Sequence, residues 1–206
     1  MKLYVTTRAP NPRRVQMFMA EKGISGIQEV PVDIMAGAHR QPEFLAKNPI
    51  ARVPVLELDD GRCLSETRAI CSYLESLYPE TNLMGETGEE RAFIEMTDRQ
   101  VEWSLYLNIA NAVRHALPAL APLENPQFAA FGESQRSKIP AAAAVFDARL
   151  QKQPWIAGER FTVADITTYC ALEFARGLLK FSPADAGLHT LQAWRDKMHS
   201  RPSAKV

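Results

Sequence analysis

The chain of 206 residues is 46% hydrophobic and 23% charged, and 24 basic side chains balance 24 acidic ones. It can therefore build one or two hydrophobic cores, and it has no charge excess that would favour nucleic acid as a partner. Without an apolar run of about 20 residues or a signal-peptide core, we expect a cytoplasmic protein that does not bind membranes, and its scattered cysteines and histidines predict no disulfide and no metal site.

Strand and helix patterns alternate over the first part of the chain. Residues 2–6 form a short β-rich run, and a second strand is predicted over residues 27–32. Between them, Asn11 followed by Pro12 predicts a helix with the asparagine as N-cap, and Gly23 ends it. This segment is therefore a βαβ unit.

A hairpin and another helix follow. Residues 54–58 and 62–64 are strand candidates joined by Asp60 and Gly61, a strong hairpin signal. Ser65 is predicted to cap the next helix. The apolar face of that helix repeats at helical spacing through Ala69, Ile70, Tyr73, Leu74 and Leu77.

Strand signals stop after this hairpin unit. Residues 79–88, with two glycines and a proline, are the best linker, and residues 89–115 predict a long helix. The sequence thus predicts an α/β domain over residues 1–80 and an all-helical domain over residues 88–206.

Two further helices are predicted in the second domain. Residues 134–151 have a helical pattern that includes Pro140, which we expect near a helix start or a kink. In "GERFTVADI", Thr162 and Asp165 form a T-x-x-D capping box, to which we assign a structural role only.

The order of these motifs resembles that of the cytosolic glutathione transferases, from Lys2 to about Trp194. It comprises an early βαβ unit, a Val-Pro that opens a strand, "SETRAI" at the next helix, a helical second half and "GERFTVADI". The resemblance implies a thioredoxin-like domain (βαβ-ββα) followed by a helical bundle. It also implies a cytoplasmic, homodimeric detoxification enzyme that conjugates the thiolate of its co-substrate glutathione to a small hydrophobic electrophile.

The proline of the Val-Pro pair has no N–H to give to a sheet, so its place in a strand pattern needs an explanation. The resemblance implies that the bond before Pro54 is cis, and that the backbone of Val53 pairs with the cysteinyl part of glutathione. The alternative is a trans proline that starts a strand and contacts no ligand.

The ends of glutathione call for charged partners. By the resemblance, Glu66 and Thr67 bind the ammonium and carboxylate of its γ-glutamyl end, at a helix N-terminus that favours anions. Without the family, Ser65 is an N-cap and Glu66 a favourable first-turn acid. Three cations are candidates for the glycine carboxylate, namely Arg52, His39 and Arg40.

The usual catalytic Tyr, Ser or Cys is absent from the first helix, and Ala9 stands where theta- and tau-like relatives have Ser. Pro10 and Asn11 resemble the nu-class bacterial members, although those typically have a Thr two residues before the Asn. The Asn11 amide can donate to a thiolate, and Thr6 or Thr7 can add a hydroxyl. The alternative is that Asn11 is an N-cap only.

The resemblance places an electrophile site near Trp103, Tyr106 and His115, although aromatic residues at this spacing are more often core, and for Trp103 we favour the core. Two other functions stay open. One is a glutathione-dependent disulfide oxidoreductase in which a second glutathione does the exchange. The other is a non-catalytic interaction protein of the same fold.

Overall fold

The computed structural model describes residues 1–7 and 9–206. Its contacts divide the chain into two compact units, Met1–Asn82 together with Val206, and Leu83–Lys205. The division falls within residues 79–88, the segment that the sequence predicts as a linker.

The first unit is a mixed four-stranded sheet with three helices. Its sheet has the order β2-β1-β3-β4, in which β1 and β2 are parallel and the other two pairs are antiparallel. Its elements are β1 Lys2–Val5, α1 Pro10–Glu21, β2 Gln28–Pro31, a 3-10 turn Ala38–Arg40, α2 Pro42–Leu45, β3 Val55–Glu57, β4 Cys63–Ser65 and α3 Thr67–Leu77. This order confirms the predicted thioredoxin-like βαβ-ββα arrangement.

Strand alternation gives this sheet two buried faces. Leu3 and Leu56 are paired in the register of β1 and β3, and both are fully buried. On the other face, Tyr4 and Val55 pack with Phe44 of α2. The sheet is therefore covered on both faces.

The hairpin between β3 and β4 turns where the sequence predicts. Gly61 has a φ of 85°, a backbone conformation that glycine adopts at little cost. The Leu58 N–H donates to the carbonyl of Arg62 at 2.8 Å, which closes the turn.

Two predicted helix caps are wrong. Helix α1 begins at Pro10 with Ala9 in the extended N-cap position, so Asn11 is the second helical residue and not the cap. Prolines fit the first turn because N–H groups there have no partner within the helix. Ser65 is the last residue of β4, opposite Val55, and Glu66 occupies the N-cap position of α3.

The second unit is helical throughout. It comprises α4 Gly88–Gln100, a π-helical turn Val101–Tyr106, α5 Leu107–Ala116, α6 Ala129–Leu150, α7 Val163–Leu179 and α8 His189–His199, with short 3-10 turns at Pro118–Leu120 and Pro202–Lys205. The predicted long helix over residues 89–115 is thus confirmed, with a π-helical turn inside it. Helix α7 is the core element, since residues 163–173 are all buried.

Helix α6 differs from its prediction. It begins at Ala129 and Pro140 lies well inside it, so the helix start expected near Pro140 is wrong, and the alternative of a kink there stays a prediction. Four alanines after Pro140 favour the helix strongly, and the proline is exposed, so water can bond the carbonyl that it leaves without a donor. Among the described residues, none of these helices combines the length and hydropathy that a bilayer span requires.

Candidate active site

The strand register brings three candidate segments to one edge of the sheet. Val55, the first residue of β3, lies opposite both Tyr4 and Ser65. The residues just before Val55 therefore meet those just after Tyr4 and just after Ser65. These are the Val53-Pro54 pair, the loop that carries Thr6, and Glu66 at the start of α3.

The peptide bond between Val53 and Pro54 is cis, as the family resemblance implies, and the alternative of a trans proline is wrong. In the part of the chain that the structure describes, no backbone group pairs with the N–H or C=O of Val53. Val53 thus has a free backbone edge at the site, the arrangement that an extended peptide ligand needs.

Asn48 supports this loop, a role that the sequence interpretation missed. The residue is 2% exposed, and its side chain donates to the carbonyl of Arg52 at 2.9 Å and accepts from the N–H of Ile50 at 3.1 Å. An asparagine just before Pro49 is a typical turn signal that could have indicated it. The amide fixes the course of the chain immediately before Val53.

Glu66 has an unusual backbone. Its φ is 69°, a positive value that residues other than glycine seldom adopt. Its carboxylate is exposed. Within the described residues, that carboxylate makes no ion pair or hydrogen bond. Strain of this kind tends to occur at functional sites, and here it directs an acid outward beside the N-terminus of α3.

The start of α1 lies beside the start of α3. The buried hydroxyl of Thr67 donates to the backbone carbonyl of Asn11 at 3.5 Å. The Asn11 side chain is half-buried, and its Oδ1 accepts from Nη1 of Arg14 at 3.4 Å. The two helix N-termini, each with unpaired N–H groups, therefore converge.

A groove of about 410 Å³ lies next to α1, on the β2 side. Thr6, Thr7 and Ala9 line it together with Arg13. Thr6 is half-buried and Thr7 exposed, and neither hydroxyl has a hydrogen-bond partner among residues 1–7 and 9–206. The groove thus offers two free hydroxyls close to the helix start.

The candidate cations differ in exposure. Arg52 and Arg40 are exposed, whereas His39 is 3% exposed. Lys47 donates to Glu57, and this bond lowers the pKa of the Glu57 carboxyl. Lys47 is therefore engaged within the sheet, and the two arginines are the accessible cations of the set.

Thiol chemistry by the protein itself has no support at this edge. Cys63 is half-buried in β4, and burial raises the pKa of its thiol. Cys71 and Cys170 are buried. No group of three metal-ligating side chains is found among the described residues.

The three electrophile-site candidates lie in the helical unit and do not form one cluster. Trp103 is 68% exposed, so the core assignment for it is wrong. Tyr106 is half-buried in the same π-helical turn. His115 lies nine residues beyond Tyr106, about 14 Å along the helix axis, where its Nδ1 accepts from the N–H of Phe128 at 3.2 Å.

The fold and this edge define a class: a thioredoxin-like domain with a cis-proline and two converging helix N-termini, followed by an all-helical domain. The chain belongs to the glutathione S-transferase family. Its family models match in order, the glutathione S-transferase N-terminal domain over residues 1–76 and the C-terminal domain over residues 113–202. The chain is therefore an enzyme of a family that uses glutathione as a substrate.

Individual relatives agree over the whole length. Glutathione S-transferase 2 of Saccharomyces cerevisiae is 38% identical over 207 aligned residues, which cover 100% of this chain and 88% of that protein. The crystal structure of Gtt2 from the same yeast has a TM-score of 0.93 at 37% identity, and the match covers 100% of this chain and 99% of that one. A glutathione S-transferase domain-containing protein of Marinobacter aquaeolei has a TM-score of 0.94 at 40% identity, with 98% and 99% covered.

Proposed function

We propose that this glutathione transferase conjugates the thiolate of glutathione to a small hydrophobic electrophile, with the cis-proline edge of the sheet as its glutathione site. The observation that supports this most is the register of Val55 with both Tyr4 and Ser65. It joins a free backbone edge, an exposed acid and a helix N-terminus at one place, which are the groups that the cysteinyl and γ-glutamyl parts of glutathione require.

Each part of the tripeptide has a partner of suitable chemistry. The backbone of Val53 would pair with the cysteinyl residue in the manner of an added strand. Glu66 would bind the γ-glutamyl ammonium. The backbone N–H of Thr67 and the other first N–H groups of α3 would bind its carboxylate, since the Thr67 hydroxyl donates to Asn11. Arg52 or Arg40 would bind the glycine carboxylate, and His39 is the buried third candidate.

The thiolate would be stabilised by the Asn11 amide and by a hydroxyl of Thr6 or Thr7. The cysteinyl sulfur loses its proton to solvent, attacks the electrophilic carbon to form a C–S bond, and the leaving group departs with its electron pair. Toward the sulfur, Asn11 only donates a hydrogen bond, because a neutral amide is too weak a base to take the thiol proton. Trp103 and Tyr106, which share the π-helical turn, are the proposed electrophile contacts, and His115, nine residues further along, would contact only a larger substrate.

A glutathione-dependent disulfide exchange is the second candidate activity. It is favoured by the burial of Cys71 and Cys170 and the raised pKa of Cys63, because such an enzyme would use a second glutathione instead of its own thiol. Comparing turnover of an aryl halide with that of hydroxyethyl disulfide separates the two activities.

The protein should bind glutathione resin and elute with free glutathione, and the aryl halide should be the better substrate. Failure to bind the resin by a folded protein would overturn the proposed site. Resin binding with turnover of the disulfide alone would replace conjugation by the second activity.

We also expect a cytoplasmic homodimer with a role in detoxification. Helices α4 and α5 and the turn between them expose an apolar stripe: Phe93, Met96, Trp103 and Leu107. Exposed apolar surface of this kind marks interfaces, and a second copy is the proposed occupant. Sedimentation at micromolar concentration should give a dimer and Phe93→Glu a monomer, whereas a monomeric wild type would contradict the proposal.

A further inference from the structure

Arg14 is buried although it carries a permanent charge. It lies in the first turns of α1, is 3% exposed, and stands three residues after Asn11, on the same side of the helix. Its Nη1 lies 3.4 Å from Oδ1 of Asn11. Buried arginines are uncommon because the desolvation cost is high, so this placement calls for a specific role.

The chemistry of the two groups fixes how they can face each other. A guanidinium has donors only, whereas an amide has an acceptor oxygen on one side and a donor NH2 on the other. The reverse orientation of the amide would put donor against donor. Arg14 therefore holds Oδ1 toward itself, and the Nδ2 donor is directed away from it.

We infer that Arg14 is a positioning residue that orients the Asn11 amide so that Nδ2 donates to the glutathione sulfur. The inference rests on the proposed thiolate role of Asn11. An asparagine in the first turn without such a partner could rotate and present its oxygen, which would repel a thiolate. The positive charge of the Arg14 guanidinium beside Oδ1 also polarises the amide and makes Nδ2 a stronger donor.

The test measures the pKa of bound glutathione by the ultraviolet absorbance of its thiolate, together with kcat and KM for an aryl halide. Arg14→Met should raise this thiol pKa and lower kcat/KM about 3- to 10-fold, the usual effect of one hydrogen bond. The loss should lie in kcat, with little change in KM for glutathione. Arg14→Lys should behave like Arg14→Met, because an ammonium on a flexible stem does not hold the amide in one orientation.

A double-mutant cycle separates positioning from a general structural effect. A serine hydroxyl rotates freely to suit its partner, so Asn11→Ser needs no orienting group. In that background, Arg14→Met should leave the thiol pKa unchanged. Arg62→Met is the matched control, since Arg62 is an exposed arginine whose ion pair with Asp60 lies in the hairpin turn.

The outcomes are distinguishable. If Asn11→Ala leaves the thiol pKa unchanged, the thiolate role of Asn11 fails, and the inference fails with it. If Asn11→Ala raises that pKa while Arg14→Met does not, or if Arg14→Met has the same effect in both backgrounds, only the positioning role is overturned. Should the Arg14 variants not fold, a crystal structure of the wild type with glutathione decides: an Asn11 amide turned away from Arg14 contradicts the inference, and one still bonded to it supports it.

Discussion

Helices α7 and α3 each have an acid at the N-terminus, Asp165 in the first turn and Glu66 at the N-cap position, and the two acids have different roles. At α7, Asp165 is fully buried and accepts from the N–H groups of Thr162 and Ile156 and from the indole of Trp194. At α3, Glu66 is exposed, has no cap hydrogen bond and stands at a positive φ. Both helix N-termini favour an acid, but only Glu66 has a carboxylate that is available to bind a ligand.

The difference teaches how to assign such residues. A carboxylate that already satisfies several buried donors cannot leave them without cost, so it belongs to folding. An acid that is held outward in a strained backbone has no folding reason to be there, so it favours a ligand. The predictions below would break or sharpen this contrast.

Replacing Asp165 should have the largest effect. Asp165→Ala leaves three buried donors without an acceptor, so we expect a loss of about 3 kcal/mol or more in the free energy of unfolding. Urea denaturation measures this loss, and the folded fraction should bind glutathione as the wild type does. A drop in affinity with unchanged stability would reverse the assignment.

The same residue should make stability depend on pH. Burial raises the pKa of Asp165 from 3.8 to about 6, although its hydrogen bonds lower it. The native state therefore binds the proton more tightly than the unfolded state, and this stabilisation is present below about pH 4 and lost as the pH rises through 6. Relative to Asp165→Asn, the wild type should lose about 2–3 kcal/mol between pH 4 and 7. A constant difference between the two proteins would contradict this pKa.

Glu66→Ala should weaken glutathione binding about 10- to 100-fold, since a hydrogen bond to a charged group is worth about 1.5–3 kcal/mol. Its helix should lose no more than about 1 kcal/mol, the usual contribution of an exposed first-turn acid. Isothermal titration and thermal unfolding measure the two effects. Glu66→Gly is the matched control: it loses the same affinity, but it relieves the strain of the positive φ. A collapse of the melting temperature with unchanged affinity would make Glu66 structural.

Asn11→Ala should have the smallest effect, about a 3- to 10-fold fall in turnover of an aryl halide. Neutral donors in dry, preorganised sites can be worth about 10²–10³-fold, but a sulfur that must admit an electrophile is accessible to water, which substitutes in part. Unchanged turnover, together with an unchanged pKa of the bound thiol, would leave Asn11 without a role at the sulfur.

Local sequence signals predicted much of the fold. The Val-Pro pair, the Asp60-Gly61 turn and the T-x-x-D box each depend on neighbours in the chain, and the structure has all three where expected. The two cap predictions are wrong because another constraint outweighs the local preference of each residue. Ser65 belongs to β4 because it pairs with Val55, and Pro10 starts α1 one residue before Asn11, so Asn11 cannot be the cap.

The remaining parts of the site depend on three-dimensional burial. Arg13 and Arg14 are adjacent and identical in sequence, so the sequence does not distinguish them. In the fold, Arg14 is buried, whereas Arg13 lines the groove. Aromatic residues at helical spacing usually belong to the core, which predicts a buried Trp103, yet this residue is exposed. Asn48 before Pro49 predicts a turn, but nothing in the sequence indicates that its side chain would hold the loop before Val53 by hydrogen bonds.

The hairpin turn at Asp60 and Gly61 closes the ends of β3 and β4 that lie away from Val53 and Glu66. Chain length can therefore vary there without moving the cis-proline edge, because the register is set by the paired strands and not by the turn. Doubling the length of such a loop costs only about 0.6 kcal/mol in closure entropy. This turn is the natural point at which to insert a fluorophore-bearing peptide or a surface tether while keeping a working glutathione site.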